Sequence, residues 1–189
     1  MSNFNITTKE IINSSLNSSF AFIQRMELNN NKFPLNKVYH IDINRCRKNI
    51  LYYSNYDYPL FSVMDEPIEY NGIKKSGLYY IETESFLPLR GNGWYSLPMV
   101  EYCISNCIIN EQNIKYALYS SLSIPYNYYN EFIDFVYSSV ADHSKLTINM
   151  MIGMFKPKPR EKWNSILITQ EANIAFHHFL DKNGSFIDF

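Results

Sequence analysis

The chain of 189 residues has few cysteines, few glycines and almost no net charge. Its three cysteines are an odd number, and Cys103 and Cys107 lack a second pair that would complete a zinc site, so we expect reduced thiols. Lysine and arginine total 17 against 18 acidic residues, so any strongly basic surface must be local. The sequence contains neither a G-x-S-x-G motif nor a glycine-rich phosphate loop.

Long apolar runs are missing as well. No segment approaches the roughly 18 apolar residues that a membrane span requires. The first thirty residues have neither a basic leader nor an unbroken apolar core, which argues against a signal peptide. We therefore expect an intracellular, soluble protein that makes no membrane contact.

Apolar residues make up 46% of the chain, enough for one domain of common size. "TTKE" followed by spaced apolar residues predicts a helix within residues 7–27, in an N-terminal helical segment spanning 1–34. The stretch "KVYHIDI" predicts a buried strand from Val38 to Ile43. Residues 35–189 are expected to form the main domain.

Strand and helix signals alternate through that domain. Prolines and glycines between short aromatic runs predict strands joined by turns from Tyr58 to Ile81. A helix is expected from Pro98 to Asn106, and "IKYALYSSLSI" is expected to form a strand. A long helical region follows, with two helices meeting near His143. The predicted fold class is α+β.

A polar stripe marks the second of those helices. Lys145, Asn149 and Gly153 are four residues apart, and four residues of an α-helix turn through about 400°, so the three lie on one side. Lysine supplies charge for phosphates, asparagine supplies directional hydrogen bonds, and glycine permits close approach. The alternative is a plain amphipathic helix anchored by an apolar face at Leu146, Ile148, Ile152 and Phe155.

Asp42 lies late in the otherwise apolar strand "VYHIDI". A carboxylate there is costly unless it is paired or binds a cation. A strand-end carboxylate can help to hold Mg²⁺, which prefers oxygen ligands and substrate phosphates. The alternative is that Asp42 caps the segment after it by accepting backbone hydrogen bonds.

Together, "DINRCRKNIL" and, roughly a hundred residues later, "KLTINMMIGMF" resemble two motifs of family B DNA polymerases. The likeness is greatest to the protein-primed viral and plasmid branch, whose first motif is D-x-x-S-L-Y-P and whose second is K-x3-N-S-x-Y-G. Asp42 matches the aspartate of the first motif. Lys145, Asn149 and Gly153 match the second.

The resemblance implies a polymerase palm-like antiparallel sheet with a helical fingers segment. Asp42 would be the catalytic metal ligand for Mg²⁺. The incoming deoxynucleoside triphosphate would contact five residues: Lys145, Asn149, Gly153, Asn44 and Arg45. A DNA template and primer would be further partners, as would a terminal (priming) protein, in the cytoplasm or nucleus of a host if the protein is viral.

The sequence departs from both motifs. Met150 and Ile152 replace the serine and tyrosine of the second motif, and Arg45 and Arg47 replace those of the first. The third motif, Y-x-D-T-D, has no equivalent, so 35–189 corresponds to a partial palm and fingers domain. The missing acids would then come from a second polymerase polypeptide. The alternative function is a catalytically inactive nucleic-acid-binding or interaction module derived from the same fold.

A basic segment follows the predicted nucleotide helix. In "FKPKPREKW", Lys156, Lys158 and Arg160 occupy alternate positions, and the intervening prolines favour an extended chain that projects them to one side. Such a row suits contact with a DNA backbone. The alternative is a solvated surface loop.

Overall fold

The protein is described by a computed structural model in residues 10–11, 44–62, 64–85, 87–139 and 143–154, and at residues 171 and 174. Within these residues four helices and six strands alternate along the chain. They are α1 (Cys46–Tyr53), β1 (Tyr58–Leu60), β2 (Ile68–Glu69), β3 (Gly77–Ile81), β4 (Gly93–Ser96), α2 (Leu97–Ser105), β5 (Ile114–Tyr119), β6 (Leu122–Ile124), α3 (Asn130–Ser139) and α4 (Ser144–Met154).

The strands form two antiparallel sheets. The larger has the order β2-β5-β3-β4, and the smaller pairs β1 with β6. In the larger sheet Tyr79 lies opposite both Tyr95 and Ala117, which fixes the register of the three longest strands. Helices and antiparallel sheets together confirm the predicted α+β class.

Alternate residues of the larger sheet point to two separate cores, as the period of a β-strand requires. On one face Leu78, Trp94 and Leu118 belong to a cluster that buries apolar residues of three helices. Those helical residues are Leu51 of α1, Ile133 and Val136 of α3, and Ile148 and Ile152 of α4. The helices α1, α3 and α4 also contact one another in pairs.

The opposite face packs against α2. Tyr79, Tyr95 and Ala117 form a second buried cluster with Met99, Val100 and Cys103 of that helix, among others. The sheet therefore separates α2 from the other three helices.

Gly77 brings β3 and β5 unusually close. A Cβ atom at this position would lie 2.3 Å from the carbonyl oxygen of Leu118 and 3.0 Å from the Cα of Tyr119. Since Gly77 pairs with Tyr119 at the end of the ladder, a side chain there would force the two strands apart.

Most predicted elements after residue 57 are confirmed. The helix expected at Pro98–Asn106 is α2, and the long helical region is two helices, α3 ending at Ser139 and α4 beginning at Ser144. The segment preceding α2 contains the expected turn, in which Gly91 has a positive φ of 74°.

The prediction of one strand in "IKYALYSSLSI" is wrong, because the segment forms two strands in different sheets. Between them Ser120 donates its backbone N–H to the carbonyl of Ser76, and Ser121 donates its backbone N–H to Asp65. These hydrogen bonds turn the chain out of the larger sheet, so that β6 pairs with β1.

One part of the predicted apolar face of α4 is also wrong. Ile148 and Ile152 are buried, but Leu146 is 57% exposed. Leu146 is two positions from Ile148, a rotation of about 200° on a helix, and therefore lies on the opposite side. Phe155 is outside the described residues.

The start of the chain is described only at Glu10 and Ile11, which are helical; Ile11 is buried in the first core. The predicted strand at 38–43 and the rest of the segment 1–34 lie outside the described residues. In the part of the chain that is described, no helix has the length and apolarity needed to cross a membrane.

Candidate phosphate-binding site

The first turn of α1 carries a dense group of positive charge. Arg45 precedes the helix in a left-handed conformation (φ 51°, ψ 33°), and the backbone N–H of Asn49 donates to its carbonyl at 2.9 Å. That hydrogen bond is the first of the helix, so the amides before it have no intrahelical acceptor. No acidic residue lies in the first turn. The positive end of the helix therefore coincides with basic side chains.

The first turn of α4 faces this group. Ile148 is buried in the first core and anchors the helix, while Lys145 is exposed and Asn149 is partly buried. Because Lys145 and Asn149 lie three residues before and one residue after Ile148, they flank the buried stripe at the surface.

Between the two helices lies a cleft of about 270 Å³. Its described lining consists of four basic side chains (Arg45, Arg47, Lys48 and Lys145) together with Cys46, Tyr137, Ile148 and Asn149. None of these residues carries a carboxylate, so the cleft is positively charged.

One hydrogen bond joins the two predicted motifs across the cleft. Arg47 donates from Nη1 to the Oδ1 of Asn149 at 3.4 Å. The length of this hydrogen bond indicates a weak interaction that a stronger acceptor can replace. The guanidinium of Arg47 therefore remains available to an anionic ligand.

Tyr137 of α3 forms the wall between two of the cations. The guanidinium carbon of Arg45 lies 5.0 Å from the centre of the Tyr137 ring. The ammonium of Lys48 lies 5.6 Å from the same ring and 4.3 Å from that of Tyr52. Cation–π attraction at these distances orients both charges without neutralising them.

The cleft cations have no carboxylate partner among the described residues. The ion pairs there join Lys74 to Glu111 at 3.1 Å and Lys115 to Glu82 at 4.0 Å, both in other parts of the molecule. Four like charges in one cleft repel one another, and a polyanion would relieve that repulsion.

The nearest aromatic hydroxyl is already committed to a carboxylate. Tyr52 donates to Asp134 at 3.1 Å, and this hydrogen bond raises the pKa of Tyr52 above its usual value. Tyr52 thus stays neutral and presents only its ring to Lys48.

The structure brings together three of the residues that the sequence predicted for nucleotide binding: Arg45, Lys145 and Asn149. Asn44 is exposed next to them, where its carbonyl accepts a hydrogen bond from the side chain of Asn49 at 3.2 Å. Gly153 belongs to the last turn of α4, and its surroundings are not described.

The remaining predicted site residues lie outside the described part of the chain. They are Asp42, the predicted metal ligand, and the basic row Lys156, Lys158 and Arg160. Among the described residues, no three His, Cys, Asp or Glu side chains come together in a group that could hold a metal ion.

Sequence reasoning missed Lys48 and Tyr137 and treated Arg47 only as a departure from the polymerase motif. The basic run "RCRK" was a visible signal for Arg47 and Lys48. Tyr137 had none, because its contact with Arg45 depends on how α3 packs against α1.

Comparison of the chain with family models, curated proteins and solved structures finds no match in any of the three. The polymerase resemblance therefore rests on the two motifs alone.

Proposed function

We propose that the cleft between α1 and α4 binds the phosphates of a deoxynucleoside triphosphate, and that the chain is part of a family B DNA polymerase of the protein-primed type. One observation carries the proposal. The segment that follows the first motif and the helix of the second, roughly a hundred residues apart in sequence, supply the walls of one basic cleft.

The cleft has the chemistry that phosphate recognition needs. Guanidinium groups bind phosphate oxygens in pairs, and lysine supplies a mobile charge. The unbonded amides at the start of α1 add donors and a favourable dipole. Asn149 retains a side-chain amide group for a base or sugar, since only its oxygen is engaged by Arg47.

The rest of the polymerase proposal follows from the resemblance. Asp42 would hold Mg²⁺, which would neutralise charge on the transferred phosphate. The antiparallel sheet would be part of a palm, and α4 would belong to the fingers. Lys156, Lys158 and Arg160 would contact the template. The second metal-binding aspartate would come from another polypeptide, and a terminal protein would supply the primer.

The second candidate function, an inactive module that binds nucleic acid, is favoured by the number of cleft cations. Arg45, Arg47, Lys48 and Lys145 have no carboxylate partner in the described residues and would accept a phosphodiester backbone as well as a triphosphate. The two functions differ in which phosphate ligand competes for the cleft.

Fluorescent dATP binding to the purified chain tests the proposal. Replacing Lys145 or Arg45 with alanine should weaken binding about tenfold or more, because each charge-assisted hydrogen bond is worth about 1.5–3 kcal/mol. Lys75→Ala is the matched control, since Lys75 is an exposed cation that does not line the cleft.

Competition separates the two functions. Triphosphate should displace the probe far better than a monophosphate, whereas short single-stranded DNA should do so poorly. Displacement mainly by DNA would favour the inactive module. Equal weakening by Lys75→Ala, or the absence of dATP binding, would refute the assignment of the cleft.

A further inference from the structure

A second and larger cleft lies on another side of α1, between that helix and α2. Its volume is about 690 Å³, within the usual size of small-molecule sites. Apolar surface comes from Ile50, Pro98 and Ile174, and two carboxyl groups come from Glu101 and Glu171. The described lining includes no lysine, arginine or histidine, so this acidic cleft has the opposite charge to the phosphate cleft.

Both carboxyl groups are fixed by neutral donors. The hydroxyl of Ser54, at the end of α1, donates to Oε1 of Glu171 at 2.7 Å. The hydroxyl of Tyr56 donates to Oε2 of Glu101 at 2.7 Å. Each acid is therefore oriented without being neutralised by a cation.

One carboxyl oxygen still lacks a donor. Oε2 of Glu171 is buried and accepts no hydrogen bond from any described residue. A buried acceptor without a donor is costly, and native proteins seldom leave one unsatisfied. The N–H group of a ligand in the cleft would remove this cost.

We propose that the acidic cleft binds an organic cation whose apolar body packs on Ile50, Pro98 and Ile174 and whose amidinium or ammonium N–H groups donate to Glu101 and Glu171. The proposal does not depend on nucleotide binding. The apolar walls favour an organic ion over a hydrated metal, and the absence of basic groups from the described lining excludes anions there.

The ionisation of Glu171 gives the proposal a second readout. Burial raises the pKa of Glu171 to about 7, against a weaker opposing effect of the Ser54 hydrogen bond. The neighbouring titratable groups are Glu101, Tyr56 and Tyr58, and burial raises the pKa of both tyrosines well above neutrality. Cation affinity should therefore increase as pH rises from 6 to 8, when Glu171 loses its proton.

The probe is p-aminobenzamidine, titrated against the full chain at pH 8 by calorimetry. We expect one saturable site and at least tenfold weaker binding in Glu171→Gln and in Glu101→Gln, because each loses a charge-assisted hydrogen bond. Glu131→Gln is the matched control, since Glu131 is an exposed acid on α3 that does not line the cleft. The neutral isostere p-aminobenzamide should bind at least tenfold more weakly than the amidine.

Three results would overturn the proposal: no amidine binding, equal affinity for the neutral isostere, or unchanged affinity in both glutamine variants. If a glutamine variant does not fold, Asn55→Trp replaces it, because Asn55 is an exposed lining residue at which a bulky ring would obstruct entry. Lys145→Ala should leave amidine binding unchanged while weakening dATP binding, so the two proposals can fail separately.

Discussion

Replacing Glu171 with glutamine should make the protein more stable at high pH and leave its stability at low pH nearly unchanged. The pKa of Glu171 rises from 4.5 to about 7 on folding, chiefly because burial disfavours the charged carboxylate. Between these two values the native state binds more protons than the unfolded chain, so the free energy of unfolding falls as pH rises through this window.

The size of the effect follows from the shift. At about 1.4 kcal/mol per pKa unit, ionised Glu171 costs the native state about 2–3 kcal/mol above pH 7. Glutamine is neutral at every pH, and its side-chain oxygen can still accept the hydrogen bond from Ser54. The variant should therefore exceed the parent in free energy of unfolding by about 2–3 kcal/mol at pH 8 and by little at pH 4.

Urea denaturation of both proteins at several pH values from 4 to 8, without ligand, provides the measurement. The difference between variant and parent is the informative quantity, because contributions from other titrating groups cancel in it. Glu131→Gln on α3 should show a difference that hardly depends on pH. If the Glu171→Gln difference were equally independent of pH, Glu171 would not be held in a desolvated site and the reasoning would fail.

The remaining predictions concern the sheet, DNA and catalysis. Gly77→Ala should destabilise the protein by more than about 1 kcal/mol, measured by urea denaturation, because its Cβ would meet the Leu118 carbonyl at 2.3 Å; stability equal to the parent would contradict this close approach. Alanine at 156, 158 and 160 together should weaken DNA binding and lower its salt slope by about 0.9 for each phosphate that the variant no longer neutralises; an unchanged slope would make the row a surface loop. The chain alone should not extend a primed template in a labelled-primer assay, because a two-metal clamp needs carboxylates on both sides; extension that disappears in Asp42→Asn would show that another acid completes the site.

Local spacing was enough to predict most helices of the described chain. Proline at the first turn and apolar residues at helical intervals marked α2, and the same spacing marked α3 and α4. The break between β5 and β6 was missed because it depends on hydrogen bonds from Ser120 and Ser121 to Ser76 and Asp65, which are distant in sequence. The alternation of apolar residues alone does not reveal such a change of sheet.

The candidate site was predictable to a similar extent. Helical periodicity placed Lys145 and Asn149 on one side of α4, and the structure puts both in the phosphate cleft. Periodicity says nothing about which other elements face a helix, so Tyr137 and its contacts with Arg45 and Lys48 were missed. The acidic cleft was missed for the same reason, because Ser54 and Glu171 are 117 residues apart.

The position of α1 makes the two clefts physically dependent. Leu51 fixes this helix in the first core, its first turn lines the phosphate cleft, and Ile50 and Ser54 line the acidic one. Cys46 lines both. A ligand that shifts α1 from either side would therefore change the shape of the other cleft. Thermodynamic linkage requires the coupling to be reciprocal, so any factor by which an organic cation alters dATP affinity must equal the factor by which dATP alters cation affinity.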